Sequence, residues 1–422
     1  MKAVVKNAPE RGFTYLTDYP DPKPADGQVV IEVAAASLCG TDREVYEWTP
    51  SAQAFALDLP VVTGHEGSGT VIEVGHGVTG LRVGDRVALE SHLVCGQCFP
   101  CRTGNAHTCE RTGIIGMHID GVFAQYMAAP QEICVKLPDH ASLEVGALLE
   151  AAGVAVHAVQ RASYEVAGRA VLVSGGGPVG LVVAYLAKLM GAAHVIVIEP
   201  NPYRRAQAEK IGVLAMPPGD EVVERCRELT GRRGGFDVAF ECSGAHGALP
   251  TLFDALRRES TLVTVGHPSR PAEINIAAHI NKKGITLRGI FGRRLWETWE
   301  QTMLLLDAGR LDLEWLITHR MSLGEVDAAV DLLTGDAGKD PEDLVFTTLR
   351  GEPRRPGRRQ RQGGPADARA RVRGHDAGRP RRAVRRRPRC GCGAPGRGRG
   401  QCSCGLFADS GRDCGRRTTR LG

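Results

Sequence analysis

The sequence predicts an α/β protein in two parts, a β-barrel-like domain followed by a doubly wound parallel sheet. Three observations carry this. The first 150 or so residues are rich in Val, Gly and Pro and hold short alternating segments. Beyond residue 169, apolar strands alternate with helical stretches. A glycine run then sits where the first of those strands meets its helix. A chain of 422 residues also exceeds what one core normally serves.

In the first part, QVVIEVAAAS from Gln28, GSGTVIEVG from Gly67 and DRVALE from Asp85 read as strands. In the second, Ala170–Ser174 is a buried strand, Gly175–Gly180 a glycine turn, and an apolar helix runs to about Met190. His194–Ile198 is the next strand, and a helix follows through residues 204–212. Later strands fall at 237–241, 261–266 and 285–290. From 293 to about 350 the pattern is helical and ends in the strand-like DLVFTTLR, read as the chain returning to the first domain. The expected division is therefore 1–150, 151–292, 293–350 and a tail, 351–422.

The tail has its own composition. Residues 351–422 hold 21 Arg, no Lys and five acids, a local net charge of +16. The remaining 350 residues carry 32 basic and 43 acidic residues, a net of −11. The overall +5 thus describes neither part. With almost no large apolar side chains, the tail is expected to be a disordered extension. No aromatic residue interleaves with its arginines to stack bases, so nucleic acid is not an expected partner.

A content of 42% hydrophobic and 24% charged residues fits a globular protein in water. No uninterrupted apolar run reaches the roughly 18 residues of a membrane span, and MKAVVKNAPERGF lacks a signal-peptide core. No membrane association and a cytoplasmic location, where thiols stay reduced, are expected.

Reduced thiols matter because Cys95, Cys98, Cys101 and Cys109 follow one another as C-x2-C-x2-C-x7-C. Four soft ligands this close suit one tetrahedral zinc in a closed structural shell. Two strained local disulfides fit the even spacing less well. In Gly175-Gly176-Gly177-Pro178-Val179-Gly180, the pattern G-x-G-x-x-G follows a strand and opens a helix, the context of a dinucleotide fingerprint. Gly175 allows the turn, Gly177 lets backbone approach a pyrophosphate, and Gly180 permits close helix–strand packing. Glu199 ends the next strand, where a carboxylate accepts ribose hydroxyls and repels a 2′-phosphate; NAD is expected over NADP, with Arg204 over the adenine.

Cys39 lies in Leu38-Cys39-Gly40-Thr41-Asp42, His65 and Glu66 in Gly64-His65-Glu66, and Glu150 in ALLEAAGVAVHAV. In order and spacing these pieces, with the cysteine lobe and glycine loop, resemble the zinc-dependent medium-chain alcohol dehydrogenases over residues 1 to about 350. Its threonine-dehydrogenase branch is the most similar. The carriers there are Tyr46 and Trp48 after the CGTD motif, Glu90-Ser91-His92, Gly292-Arg293, Glu297-Thr298-Trp299 and Ile317-Thr318-His319-Arg320.

The resemblance implies a GroES-like barrel and a Rossmann domain, usually in a homo-tetramer. It implies that Cys39 and His65 hold a catalytic zinc, with Glu66 or Glu150 as the carboxylate ligand. Asp42 would orient His65, and Thr41 would carry the alcohol proton outward. Val179, Val265, Gly266, His267, Ile290 and Phe291 would line the cofactor cleft. The implied reaction is hydride transfer from a small secondary alcohol to NAD.

Two positions depart from the family pattern. Glu44 stands where relatives carry a His that takes part in proton relay, and Ala151 follows Glu150 where relatives usually carry Pro. A carboxylate at 44 can still accept a proton but repels a substrate carboxylate, which points to a neutral or cationic alcohol, such as a polyol, sugar, aminocyclitol or amino alcohol. A non-enzymatic NAD(H) sensor that contacts nucleic acid through the tail is the rival of another class. The intact Cys39, His65 and Glu150 set argues against it.

Overall fold

The computed structural model describes residues 1–268, 271–334 and 347–350. The tail expected at 351–422 lies outside the described residues, as does the segment 343–346 of the closing strand.

The first 140 residues build an antiparallel sheet around the ten-residue strand Gln28–Ser37, which pairs with Gly67–Val74 on one side. The sheet has seven strands, and Arg86–Leu89 and Cys134–Lys136 extend it outward from Gly67–Val74. On its other side Gln28–Ser37 pairs with Thr347–Arg350. Val29, Ile31, Val71, Val87, Phe123 and Met127 fill the interior.

Parallel pairing begins at Ala170–Ser174. All five of its residues are buried, which is why it reads as one unbroken apolar run. Six strands follow the order 214–216, 194–198, 170–174, 236–241, 256–264, 286–289. Relative to the chain this is 3-2-1-4-5-6, the doubly wound order, and it reverses between Ala170–Ser174 and Phe236–Glu241. A crevice therefore opens beyond the carboxyl ends of those two strands, where the glycine turn lies.

One helix, Leu143–Arg161, spans the boundary expected at residue 150 without a break. Ser142 caps it, its Oγ accepting the Val145 N–H at 3.1 Å. Among the described residues it is the one helix long and apolar enough to cross a membrane, but 78% of its apolar window is buried inside the protein. It is a core element, packed with Pro178–Leu189 and Glu297–Asp307 into the largest apolar cluster.

Two local expectations need correction. The region 293–350 is not purely helical: His319–Ser322 is a strand, parallel to Thr347–Arg350. Its four residues, none of them buried, are too few to show a period of two. The strand expected at 261–266 starts earlier, at Leu256, which pairs with Phe236 before a bulge at 257–260 brings Thr261 opposite Val238.

Candidate active site

The cysteine lobe forms around the short helix Phe99–Arg102, which starts at Cys98. All four sulfurs lie within 4.8 Å of one another. Cys95 and Cys101 are 4.0 Å apart and Cys98 and Cys109 are 3.8 Å apart, sulfur to sulfur. A disulfide requires about 2.05 Å, whereas a tetrahedron with arms of about 2.3 Å has edges of about 3.8 Å. Backbone N–H groups of Gln97 and Cys98 point at the Cys95 sulfur, each at 3.4 Å, and favour its thiolate, bringing its pKa down to about 5. The donor set, spacing and turned-in N–H groups fit one zinc.

A second cluster lies at the mouth of the barrel. Cys39 ends the turn after Gln28–Ser37, and its backbone N–H donates to Asp42 Oδ2 at 2.9 Å. Asp42 Oδ1 is 3.3 Å from His65 Nδ1, so the ring is oriented with Nε2 towards Glu66 Oε1, 4.0 Å away. Ligand atoms of Cys39, His65 and Glu66 fall within 4.8 Å of one another. Burial, then Glu150, push Glu66 up to about 8, and burial, then Glu66, push the Cys39 thiol up to about 11. Burial opposes the His65 imidazolium, but Asp42 outweighs it and raises that pKa well above its ordinary value. Donors that resist ionising together in a buried corner fit a divalent cation, which satisfies all of them at once.

Glu150 does not join that cluster. It accepts from Ser91 Oγ at 2.8 Å and forms an ion pair with Arg293 Nη1. Among the described residues Arg293 is the largest fully buried side chain, 2% exposed. It grips Glu90 with two donors, Nε at 2.8 Å from Oε2 and Nη2 to Oε1, and gives a third bond to Ser91 Oγ at 2.7 Å. Trp299 Nε1 also donates to Glu90. His92 Nδ1 lies 2.8 Å from Arg293 and 3.0 Å from Glu90 Oε1. The guanidinium draws Glu150 away from the metal corner and balances two buried carboxylates.

Beside this network a cleft of about 510 Å³ runs between the two sheets. Cys39, Thr41, Glu44, His65, Glu66 and Glu150 line one end, and Gly177, Val179, Gly180, Val265, Gly266, His267, Ile290 and Phe291 line the other. Gly175 has φ +98°, and a Cβ on Gly180 would sit 2.0 Å from the Gly175 carbonyl. At Gly177, by contrast, a Cβ would meet nothing within 4 Å, which leaves the space a pyrophosphate needs before the first turn of Pro178–Leu189.

Glu199 and Arg204 lie beyond the lining of the cleft. Glu199 accepts the N–H of Gly176 at 2.6 Å and of Asn201 at 2.9 Å, in reach of the glycine turn. Arg204 Nε is buried without a partner among the described residues; Arg205 instead donates to the Glu199 carbonyl at 2.8 Å. Sequence reasoning gave no role to Glu90, Ser91, His92, Arg293 or Trp299. The available signal was charge at Glu90 directly after the apolar strand Arg86–Leu89.

Residues 25–139 match the model of the alcohol dehydrogenase GroES-like domain, and residues 178–308 that of the zinc-binding dehydrogenases. L-threonine 3-dehydrogenase of Salmonella arizonae is 36% identical over 342 residues, covering 80% of this chain and 98% of that protein. Among solved structures, 2R,3R-butanediol dehydrogenase from Bacillus subtilis aligns with a TM-score of 0.72 and 30% identity, over 83% of this chain and 99% of that one. Galactitol-1-phosphate dehydrogenase from Escherichia coli aligns with a TM-score of 0.72 and 26% identity, over 83% and 100%. With both halves matched in order and nearly the full length of these relatives covered, the chain belongs to the zinc-dependent medium-chain alcohol dehydrogenases, NAD-linked oxidoreductases of CH–OH groups.

Proposed function

We propose that this dehydrogenase oxidises a small secondary alcohol that carries an amino group. The observation behind this is Glu44, which lines the metal end of the cleft beside Thr41. An ammonium facing Glu44 gains Coulomb energy there, whereas a lone carboxylate loses it.

In this reading Cys39, His65 and Glu66 hold the catalytic zinc, with Glu150 as a reserve ligand, and the four lobe cysteines hold a structural zinc. When bound, the catalytic zinc supplies Lewis-acid polarisation of the substrate oxygen. Asp42 keeps the His65 ring in place. The Thr41 hydroxyl takes the alcohol proton and hands one to Glu44, which passes it to solvent. Gly175, Gly177, Val179, Gly180, Val265, Gly266, His267, Ile290 and Phe291 seat NAD, with Glu199 at the ribose and Arg204 near the adenine.

A second reading is favoured by Arg43, which lines the same cleft. A zwitterionic hydroxy amino acid would place its carboxylate on Arg43 and its ammonium on Glu44. The Salmonella relative, named for L-threonine, agrees with that arrangement.

The division at 150, 292 and 350, a cytoplasmic location and a homo-tetramer belong to the same proposal. Zinc binding through the lobe thiolates needs a reducing compartment, and sedimentation of the purified protein tests the tetramer. The substrate is tested by NADH absorbance with isopropanolamine, isopropanol and L-threonine. Preference for isopropanolamine supports the first reading, preference for L-threonine the second, and no turnover of any overturns both.

A further inference from the structure

The long helix Leu143–Arg161 carries another side chain aimed at the cleft wall, two turns beyond Glu150. His157 is 1% exposed, and its Nδ1 lies 2.8 Å from the carbonyl oxygen of Gly292. A carbonyl only accepts, so Nδ1 carries the proton. Burial lowers the pKa of this ring, which keeps it neutral at physiological pH.

Gly292 occupies a demanding position. Its φ is +52°, and a Cβ there would stand 2.5 Å from His92 Cε1. Its neighbours point to different tasks: Phe291 lines the cofactor end of the cleft, and Arg293 holds Glu90 and Glu150. The plane of His157 is itself set from the cysteine lobe, where His107 meets it edge-on with ring centroids 5.2 Å apart.

We propose that His157 is a positioning residue for the dehydrogenase reaction, its Nδ1–H holding the Gly292 carbonyl and so fixing Phe291 against the cofactor and Arg293 against Glu90 and Glu150. Without that donor the half-buried Gly292 carbonyl loses its side-chain partner, and the turn is free to shift towards water in the cleft. The cysteine lobe thereby reaches the active site through two rings, His107 and His157, and one carbonyl.

The inference rests on the dehydrogenase reading, and its test has a readout that needs no alcohol. H157L keeps bulk but removes the donor, H157Q moves the donor outward, and H157N keeps an N–H where Nδ1 stands. Each full-length variant is titrated with NADH by fluorescence, with zinc content and Tm measured in parallel, and kcat/KM is taken with isopropanolamine and L-threonine. H157L and H157Q are expected to bind NADH roughly tenfold more weakly with zinc content unchanged, and H157N to stay within about twofold of wild type. Wild-type NADH affinity in H157L, or equal losses in H157N and H157L, overturns the proposal. If H157L does not fold, H157Q takes its place under the same criteria. A wild type that binds NADH but oxidises neither alcohol counts against the substrate reading alone.

Discussion

The carboxylate of Glu199 is bonded to the backbone N–H of Gly176 at 2.6 Å, so the acid at the tip of the second parallel strand is clamped onto the glycine turn. A Cβ on Gly176 would stand 2.8 Å from Glu199 Cγ, which explains a glycine at the motif's unconstrained second position. Glu199 thus shapes the glycine turn itself, in addition to its proposed role at the ribose. Glu199→Ser is expected to raise KM for NAD by about tenfold to a hundredfold, the value of lost bonds to a charged group, and to narrow the preference over NADP. Steady-state kinetics with both cofactors checks this; an unchanged ratio would count against the assignment.

Wild-type protein is expected to hold two zinc ions per chain by elemental analysis. Cys98→Ser removes one thiolate from the closed lobe, and one zinc should be lost with a clear drop in Tm, because structural zinc contributes directly to folding. A variant that keeps two ions would show that the lobe is not a metal site.

Arg293→Met strips the countercharge from Glu90 and Glu150 while roughly keeping volume. Breaking a buried pair from one side costs about 3–5 kcal/mol, measured as the change in unfolding free energy. A loss below about 1 kcal/mol would mean that the network is loosely hydrated.

Acid should expose the same network. Burial pulls the Glu90 carboxyl upward, but Arg293 outweighs it and holds the pKa far below the usual carboxylate range. The folded value is thus below the unfolded value of about 4.3, so this contribution is complete above that pH and is lost progressively as pH falls from there through the folded value. Tm should fall on acidification below about pH 4.3, and Arg293→Met should flatten that slope. Equal slopes would locate acid sensitivity elsewhere.

Glu44→His replaces the carboxylate at the metal end of the cleft with a group that is neutral or cationic near pH 7. Activity on L-threonine should rise and activity on isopropanolamine should fall, each by several-fold, since one charge contact at partial exposure is worth about 1 kcal/mol. Should both activities stay where they are, Glu44 does not sort substrates by charge.

Much of this was readable from the chain because local pattern and final environment agree. Ala170–Ser174 and His194–Ile198 are continuous apolar runs, and both form paired strands with those limits. The four lobe cysteines fall within fifteen residues, so their convergence is a short-range fact. Glu90 and Arg293 are 203 positions apart, and nothing local announces that one will grip the other. Likewise Glu66 and Glu150 are equivalent on paper; Arg293 and Ser91 separate them, and both act through tertiary contact. The strand His319–Ser322 exists because Thr347–Arg350 lies beside it, not because its four residues favour it.

The helix Leu143–Arg161 bears on how the cleft opens. It contains no proline, and its nineteen residues run unbroken from beneath the barrel to the parallel sheet. Bending it would break several i→i−4 bonds at once, so a hinge does not belong there. Glu150 and His157 share that one rigid element, so any displacement of the helix would carry both side chains together.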